Sequence, residues 1–266
     1  MTAAIRHRRF GTFVLVLGTY LGWNIAPLHA REAPCMAPVI GEGRVASTLD
    51  ARTLRMQDGR EVRLAGVEDS TSGLPAKPDQ RVALERLTAG RDIVLRGSAK
   101  PDRYGRLVAF AFVQDQDTPI QAHMVDDGHL LVAAAIDDRD CARLLLARED
   151  RARRAGRGLW AEPAAIKNTE MPGDILAGIG QFVVVEGRVQ SVREAGATLY
   201  VNFGRRWTQD FAVTILRRNV AGFETAGIPL RSLERRRVRV RGWVEQRGGP
   251  RIQASWAGQI EVLGGN

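Results

Sequence analysis

Glu61-Val62-Arg63-Leu64-Ala65-Gly66-Val67 follows an Asp58-Gly59 dipeptide that is itself preceded by Thr53-Leu54-Arg55-Met56. Apolar and polar side chains alternate on both sides of a dipeptide suited to a tight turn, which predicts a hairpin of half-buried strands. Working outward, Gly43-Arg44-Val45-Ala46-Ser47 leads into the hairpin as another strand. Residues 79–89 place Val82, Ala83, Leu84 and Leu87 near helical spacing and stop at Gly90. Ile93-Val94-Leu95 and Leu107–Val113 are further strands, separated by the turn Asp102-Arg103-Tyr104-Gly105-Arg106. Helices are expected over 119–127, before Gly128, and over 138–156, where Cys141, Leu144, Leu145 and Arg148 share one face of a strongly charged segment. Gly156-Arg157-Gly158-Leu159-Trp160 closes this first unit. The expected class is mainly β with helices, an α+β fold.

Pro163, Pro172, Gly173, Gly178 and Gly180 mark a linker over 164–180. Beyond it, over 181–266, the strand-like segments Phe182–Val192, Thr198–Phe203, Phe211–Leu216, Val238–Glu245, Arg251–Ser255 and Ile260–Leu263 describe a second, β-rich domain. Gly248-Gly249-Pro250 supplies a hairpin turn. Five or six short strands in so little chain point to a small barrel or sandwich. No sequence repeat is evident.

At the other end, Arg6, Arg8 and Arg9 precede an uncharged apolar run from Phe10 to Ile25 and then Leu28-His29-Ala30. That pattern reads as a secretory signal over 1–30, so the mature chain is expected outside the cytosol, in a periplasm or the medium. The alternative is a retained anchor, although the run is shorter than the ~20 residues of a typical membrane span. No later segment is apolar enough to span, so no membrane domain is expected once the signal is cut. An exported chain with only Cys35 and Cys141 can join them in an oxidising compartment, pinning the mature N-terminus to the first domain. Spacing alone does not prove proximity, and two unpaired thiols are the alternative.

The formal charge of +9 is unevenly distributed. Residues 31–163 hold 21 basic and 21 acidic side chains, whereas 164–266 hold 15 and 9. A polyanion footprint therefore belongs on the C-terminal domain. Only 3 of the 39 cations are lysines, a bias that genomic composition accounts for as readily as guanidinium chemistry does.

The hairpin with Arg63-Leu64-Ala65-Gly66, the following helix, Asp102-Arg103-Tyr104-Gly105-Arg106 and the helix ending in Gly158-Leu159-Trp160 occur in an order that resembles the staphylococcal nuclease (thermonuclease-like) family, over 43–162. The resemblance implies a five-stranded OB barrel with three helices over 31–163. Tyr200–Trp207 and Val238–Trp243 resemble the second domain of exported bacterial proteins of that type, for which an OB-like barrel is the expectation. The implied activity is phosphodiester hydrolysis of DNA or RNA with calcium. Such chemistry needs cations around a phosphorus that gains negative charge, hard oxygen ligands for the metal, and a carboxylate acting on water. Arg63 and Arg106 match the family's two catalytic arginines, the phosphate grip.

The acidic half departs from the pattern. Asp50-Ala51-Arg52-Thr53 places Arg52 where a calcium-binding aspartate is expected, and Glu68-Asp69-Ser70-Thr71 places Thr71 at the water-activating glutamate. Asp50 and Glu68 remain as candidate calcium ligands and Asp69 as a substitute base. The family's nucleotide-stacking positions align with Ala134 and Ile136, so stacking surface is lost. Tyr104 is a candidate base or anion contact, or a turn-packing residue. Arg63 and Arg106 have a structural reading too, as ion-pair partners of Glu61 or Glu68 and of Asp102. Arg237, Arg239 and Arg241 alternate along one strand, so they share a face; beside Trp243 that face could track a phosphate backbone, or could be a solvated barrel face. His123 and His129 have no metal-site spacing.

Three functions stay open: an active calcium-dependent nuclease using Asp50, Glu68 and Asp69; a catalytically degenerate nuclease fold that binds nucleic acid or another polyanion; and an envelope structural or partner-binding protein. The replacements at Arg52 and Thr71 favour the second.

Overall fold

In the computed structural model the described residues are 34–69, 78–133, 135–136 and 138–264. The expected signal segment, Thr71 and Ala134 lie outside them.

The first barrel is built from β1 (Val39–Thr48), β2 (Thr53–Met56) and β3 (Glu61–Leu64), followed by the short β4 (Val67–Glu68), α1 (Pro78–Thr88), β5 (Asp92–Gly97) and β6 (Leu107–Val113). Strands run in the closed order β1-β2-β3-β6-β5. The long β1 serves two neighbours, pairing β2 through its second half and β5 through its first, and register shifts at Val39/Gly41 and Val45/Ser47 bend it between them. Inward positions follow the period of two read from the sequence: Leu54, Met56, Val62, Leu64, Ile93 and Leu95 are buried, with Leu84 of α1 packed against them. Each such side chain contributes about 1.5–3 kcal/mol of transfer free energy. Closure is through the parallel pair β3–β6, in which Arg63 faces Val108. That pairing places the Asp102–Arg106 turn, which feeds β6, beside Arg63.

Then come α2 (Ile120–Asp126), β7 (Leu131–Val132) and α3 (Arg139–Arg154). Buried Gln121 of α2 donates to the Ala65 and Ala109 carbonyls and accepts from the Ala111 amide, stitching the helix across β3 and β6. Asp138 caps α3 by accepting from the Asp140 and Cys141 amides, and its other oxygen accepts from the Cys35 amide. Cys35 and Cys141 form the expected disulfide, Cα to Cα 4.6 Å. After α3, Gly158 opens a 3-10 turn over Gly158–Ala161. A Cβ there would lie 2.4 Å from the Gly128 carbonyl oxygen, and one on Gly128 would lie 2.2 Å from that of Arg157, so this crossing of two backbones, both glycines at positive φ, requires glycine.

Residues 164–180 are not an open tether. They contain β8 (Ile166–Asn168), paired in parallel with the next strand, and α4 (Pro172–Leu176), whose Ile175 is buried. Proline and glycine signal chain reversals, and composition does not separate a packed connection from a free one.

The second half comprises β9 (Phe182–Arg188), β10 (Ser191–Ala195), β11 (Thr198–Asn202), β12 (Ala212–Leu216), α5 (Arg217–Thr225), β13 (Arg237–Arg247), β14 (Gly249–Ala254) and β15 (Ile260–Val262). Its sheet order is β10-β11-β12-β14-β13-β9-β8, with β15 on β13. β9 and β10 are consecutive, and the Val189 amide bonds to Arg236 while the Gln190 amide bonds to Asn202, so the hand-over from β13 to β11 occurs within one strand path. Counting β9 and β10 as that path reproduces the first circuit, including the parallel pair β12–β14 and a helix before the penultimate strand. The repeat is one of topology, without a repeat of sequence. Helix α5 was not read from the sequence, because Arg217–Thr225 buries only Phe223.

All of this lies in one compact unit, Ala33–Asn266. Leu131, Ala152, Leu159 and Trp160 pack with Phe182 and Val184 in a third apolar cluster between the barrels. Among the described residues no helix is long and apolar enough to cross a membrane.

Candidate functional site

Arg63 projects from β3, Arg106 from the turn before β6, Arg52 from the loop between β1 and β2, and Glu68 and Asp69 from the end of β4. The turn carrying Arg106 is set by Asp102. Its Oδ1 accepts from the Tyr104 and Arg106 amides at 2.9 and 3.0 Å, and its Oδ2 accepts from Arg106 Nε and Nη2 at 3.0 and 2.8 Å. Burial by itself would push the Asp102 carboxyl up, but these donors outweigh it and hold it at about 2. The Arg106 guanidinium also lies over the Tyr104 ring, 5.0 Å from its centroid, and Arg103 covers the same ring at 4.8 Å. Tyr104 is 65% exposed at the turn, its ring shared by two cations.

Arg52 is the centre of the acidic half. Its side chain is buried, donates to the Val67 carbonyl at 3.2 Å, pairs directly with Glu68 and reaches Asp69 Oδ1 at 3.1 Å. Its amide donates to Asp50 Oδ1 at 2.8 Å. Burial pulls the Arg52 pKa down to about 10, with repulsion from Arg63 and Arg106 adding to the fall and Asp69 and Asp50 opposing it; the group stays cationic at neutral pH. Arg63 Nη2 reaches Glu68 Oε2 at 3.4 Å, so Glu68 serves two guanidiniums. Burial, then repulsion from Arg106, lowers the Arg63 pKa as well.

Six of the residues singled out from sequence, Asp50, Arg52, Arg63, Glu68, Asp69 and Arg106, thus converge in one network with Asp102. Their contacts do not fit a calcium ion. Calcium takes six to eight oxygens at 2.3–2.6 Å, whereas here the oxygens of Glu68 and Asp69 are turned onto a guanidinium that fills the space between them. Among the described residues no group of three or more acidic, histidine or cysteine side chains is arranged to hold a metal. Ile136 packs on Gly66, its Cδ1 3.0 Å from where a Cβ would stand, and offers no flat stacking face.

The second-domain arginines are placed differently from the sequence expectation of an exposed stripe. Arg237, Arg239 and Arg241 do share a face of β13, but that face is covered. Arg239 is 4% exposed, donating to Glu186 Oε1 at 2.8 Å and Glu261 Oε2 at 2.7 Å; burial lowers its pKa, and the Glu186 and Glu261 contacts more than restore it. Arg241 is 1% exposed and reaches into the first domain, pairing with Glu149 Oε2 of α3 at 2.6 Å and donating to the Val132 carbonyl at 3.1 Å. Only Arg237 is exposed, and Glu186 lies 3.3 Å away. This face docks one barrel on the other, so Arg239 and Arg241 are not available to a phosphate backbone. Sequence reasoning missed Glu149 as the counterpart of Arg241; its position on the buried Cys141-Leu145-Glu149-Ala152 stripe of α3 was the available signal.

The docking also brings Trp243, half-exposed, and Trp256 to the mouth of the first-barrel site, in a cavity of about 350 Å³ that Glu68, Ala133 and Ala135 line from the other side.

An OB barrel whose parallel closure sets two arginines side by side, with acidic groups on the adjoining loops, defines a nuclease-type domain. The family model described as staphylococcal nuclease homologue matches residues 62–162. No curated protein matches the chain.

Proposed function

We propose that this is an exported, nucleic-acid- or polyanion-binding protein built on a nuclease fold whose barrel site has lost hydrolysis. The observation that carries the proposal is Arg52 lodged between Glu68 and Asp69. Hydrolysis would need those oxygens for a metal and for a water, and a guanidinium held against them competes for both roles. With Arg52 in place, Asp69 cannot serve as base without giving up its ion pair, and Asp50 is engaged by the Arg52 amide. Arg63 keeps one shared carboxylate contact at 3.4 Å, so a phosphate can still compete for it, whereas Arg106 gives both Nε and Nη2 to Asp102 Oδ2. The Cys35–Cys141 disulfide suits an oxidising compartment.

The test is digestion of plasmid DNA and of RNA by the purified oxidised chain with calcium, with magnesium, and with chelator. No metal-dependent cleavage is expected. Metal-dependent cleavage abolished by Arg63→Ala would overturn the proposal in favour of an active nuclease. Arg52→Asp combined with Thr71→Glu is expected to produce measurable calcium-dependent cleavage.

A further inference from the structure

The outer face of the second barrel carries a concave patch that the first-barrel site does not use. Alternation sends Leu199, Val201, Val213 and Ile252 inward, leaving Tyr200 and Asn202 of β11 and Arg251 of β14 outward. Across the ladders Arg193 stands opposite Tyr200, and Ala212 joins Asn202 to Arg251. With Trp207 from the loop after β11 and Arg247 at the end of β13 these residues line a cavity of about 460 Å³.

Three observations set this patch apart from an ordinary solvated face. First, Trp207 is 76% exposed, the most exposed of the large hydrophobic side chains among the described residues. An indole left in water on a mobile loop would be unremarkable, but this loop is fixed. Asp210 Oδ2 accepts from the Arg206 amide at 2.7 Å, the Gln209 and Asp210 amides return to the Arg206 carbonyl, and Phe203 bonds back to Phe211. The loop also presses on the β13–β14 hairpin so closely that a Cβ on Gly249 would meet the Asp210 carbonyl oxygen at 2.5 Å, and one on Gly204 would meet the Asp210 carboxylate at 2.1 Å. The indole is therefore presented rather than folded away. Second, neither Arg193 nor Arg247 has a carboxylate partner among the described residues, so both guanidiniums that line the concavity beside the exposed indole are open to an anion. Third, Arg251 reaches Glu245 at 3.3 Å through Nη2 while its Nε is buried without a hydrogen-bond partner. Asp210, the carboxylate in the lining, is already used by its own loop.

We propose that this patch is a second site, for single-stranded nucleic acid, with unstacked bases on Trp207 and Tyr200 and the backbone phosphates on Arg193 and Arg247. Two aromatic faces and two unpaired guanidiniums within one small concavity match the alternation of base and phosphate along a strand. A duplex keeps its base faces stacked and cannot offer them to Trp207. A sulfated polysaccharide offers sulfates to the arginines but no π faces to the rings, and heparin is therefore a discriminating competitor. The site does not depend on the inactivity of the first barrel: a strand bound here could be delivered to an active or an inactive site alike.

The experiment is fluorescence anisotropy of a labelled twelve-residue oligothymidylate with the full oxidised chain at low salt, followed by titration of salt. Binding is expected, with quenching of tryptophan emission, and with duplex DNA of the same length and heparin as competitors. Trp207→Ala is expected to weaken binding on the order of tenfold, from the loss of base stacking, and Trp207→Phe to recover most of it. Replacing Arg193 and Arg247 together by Gln should weaken binding and make the slope of log affinity against log salt shallower by about 1.4, two phosphates at about 0.7 each. Trp207 is exposed, so its substitution leaves the fold intact, and circular dichroism checks that. No binding of the oligonucleotide, binding unchanged in Trp207→Ala, or stronger competition by heparin or duplex without quenching would each overturn the proposal. Binding that survives Trp207→Ala and is lost with Arg63→Ala belongs to the barrel site instead.

Discussion

Replacing Arg241 by Met should destabilise the chain by about 3–5 kcal/mol, because it strands a buried carboxylate rather than because it deletes a favourable contact. Glu149 is 3% exposed, and its two oxygens have one partner each: Oε1 accepts from the Val132 amide at 2.8 Å and Oε2 from Arg241 at 2.6 Å. Without the guanidinium, Oε2 faces apolar surroundings as an uncompensated charge. Glu149→Gln should cost a similar amount by the converse route, since the amide NH₂ then faces Arg241 and the nearest other carboxylate, Glu261, is 3.9 Å away. The double variant strands no charge. Its cost should fall to about 1–3 kcal/mol, set by the Val132 carbonyl left unpaired and the amide nitrogen of the new Gln. The two single effects therefore exceed the double by several kcal/mol. Urea unfolding of the oxidised chain, followed by tryptophan fluorescence and extrapolated linearly, measures all four corners of the cycle. Single variants that both lie within about 0.5 kcal/mol of the parent, the range of ordinary surface changes, would refute the reasoning and with it the buried docking of the barrels.

Reducing the Cys35–Cys141 disulfide, or Cys35→Ser, should cost about 2–5 kcal/mol, as expected for a bridge closing a long loop across a sequence separation of 106, and a shift of the urea midpoint with reductant reads it. Asp102 is held at about 2 against an ordinary 3.8, so its contribution is fully present above the ordinary value and is lost as pH falls through about 2. A carboxyl-carbon NMR titration should find that low midpoint in the parent, and it should move up toward the ordinary value in Arg106→Ala. Gly158→Ala forces a side chain against the Gly128 backbone at positive φ and should destabilise by well over 1 kcal/mol, read as a lower thermal midpoint. Gly59→Ala, also at positive φ but with open space around it, should cost less.

The local part of this protein was legible in its sequence. The Asp58-Gly59 hairpin, the helix ended by Gly90 and the C-terminal strands, apart from the break that divides Phe182–Val192 between β9 and β10, follow from side-chain period and turn chemistry, which act between neighbours. The pairing of Arg106 with Asp102 was legible for the same reason, the two being four residues apart in one turn. What escaped was whatever depends on packing between distant segments. The 164–180 stretch has the composition of a tether, yet Ile175 finds a core to enter. Alternation of Arg237, Arg239 and Arg241 established that they share a face, but a period of two is silent on which side is covered and by what.

The sequence by itself determined the barrel and the identities of Arg52, Arg63 and Arg106, since these depend on residue order and identity. Only the tertiary structure decided what Arg52 does. Val67 through Asp69 return past the loop that carries it, so its buried charge is compensated by Glu68, Asp69 and the Val67 carbonyl. It also decided the use of the basic second domain, burying Arg239 and Arg241 against Glu186, Glu261 and Glu149 while leaving Arg193 and Arg247 unpaired beside Trp207. A charge count cannot distinguish those two groups, because the cost of removing a guanidinium from water is met or not met by partners that lie far away in sequence.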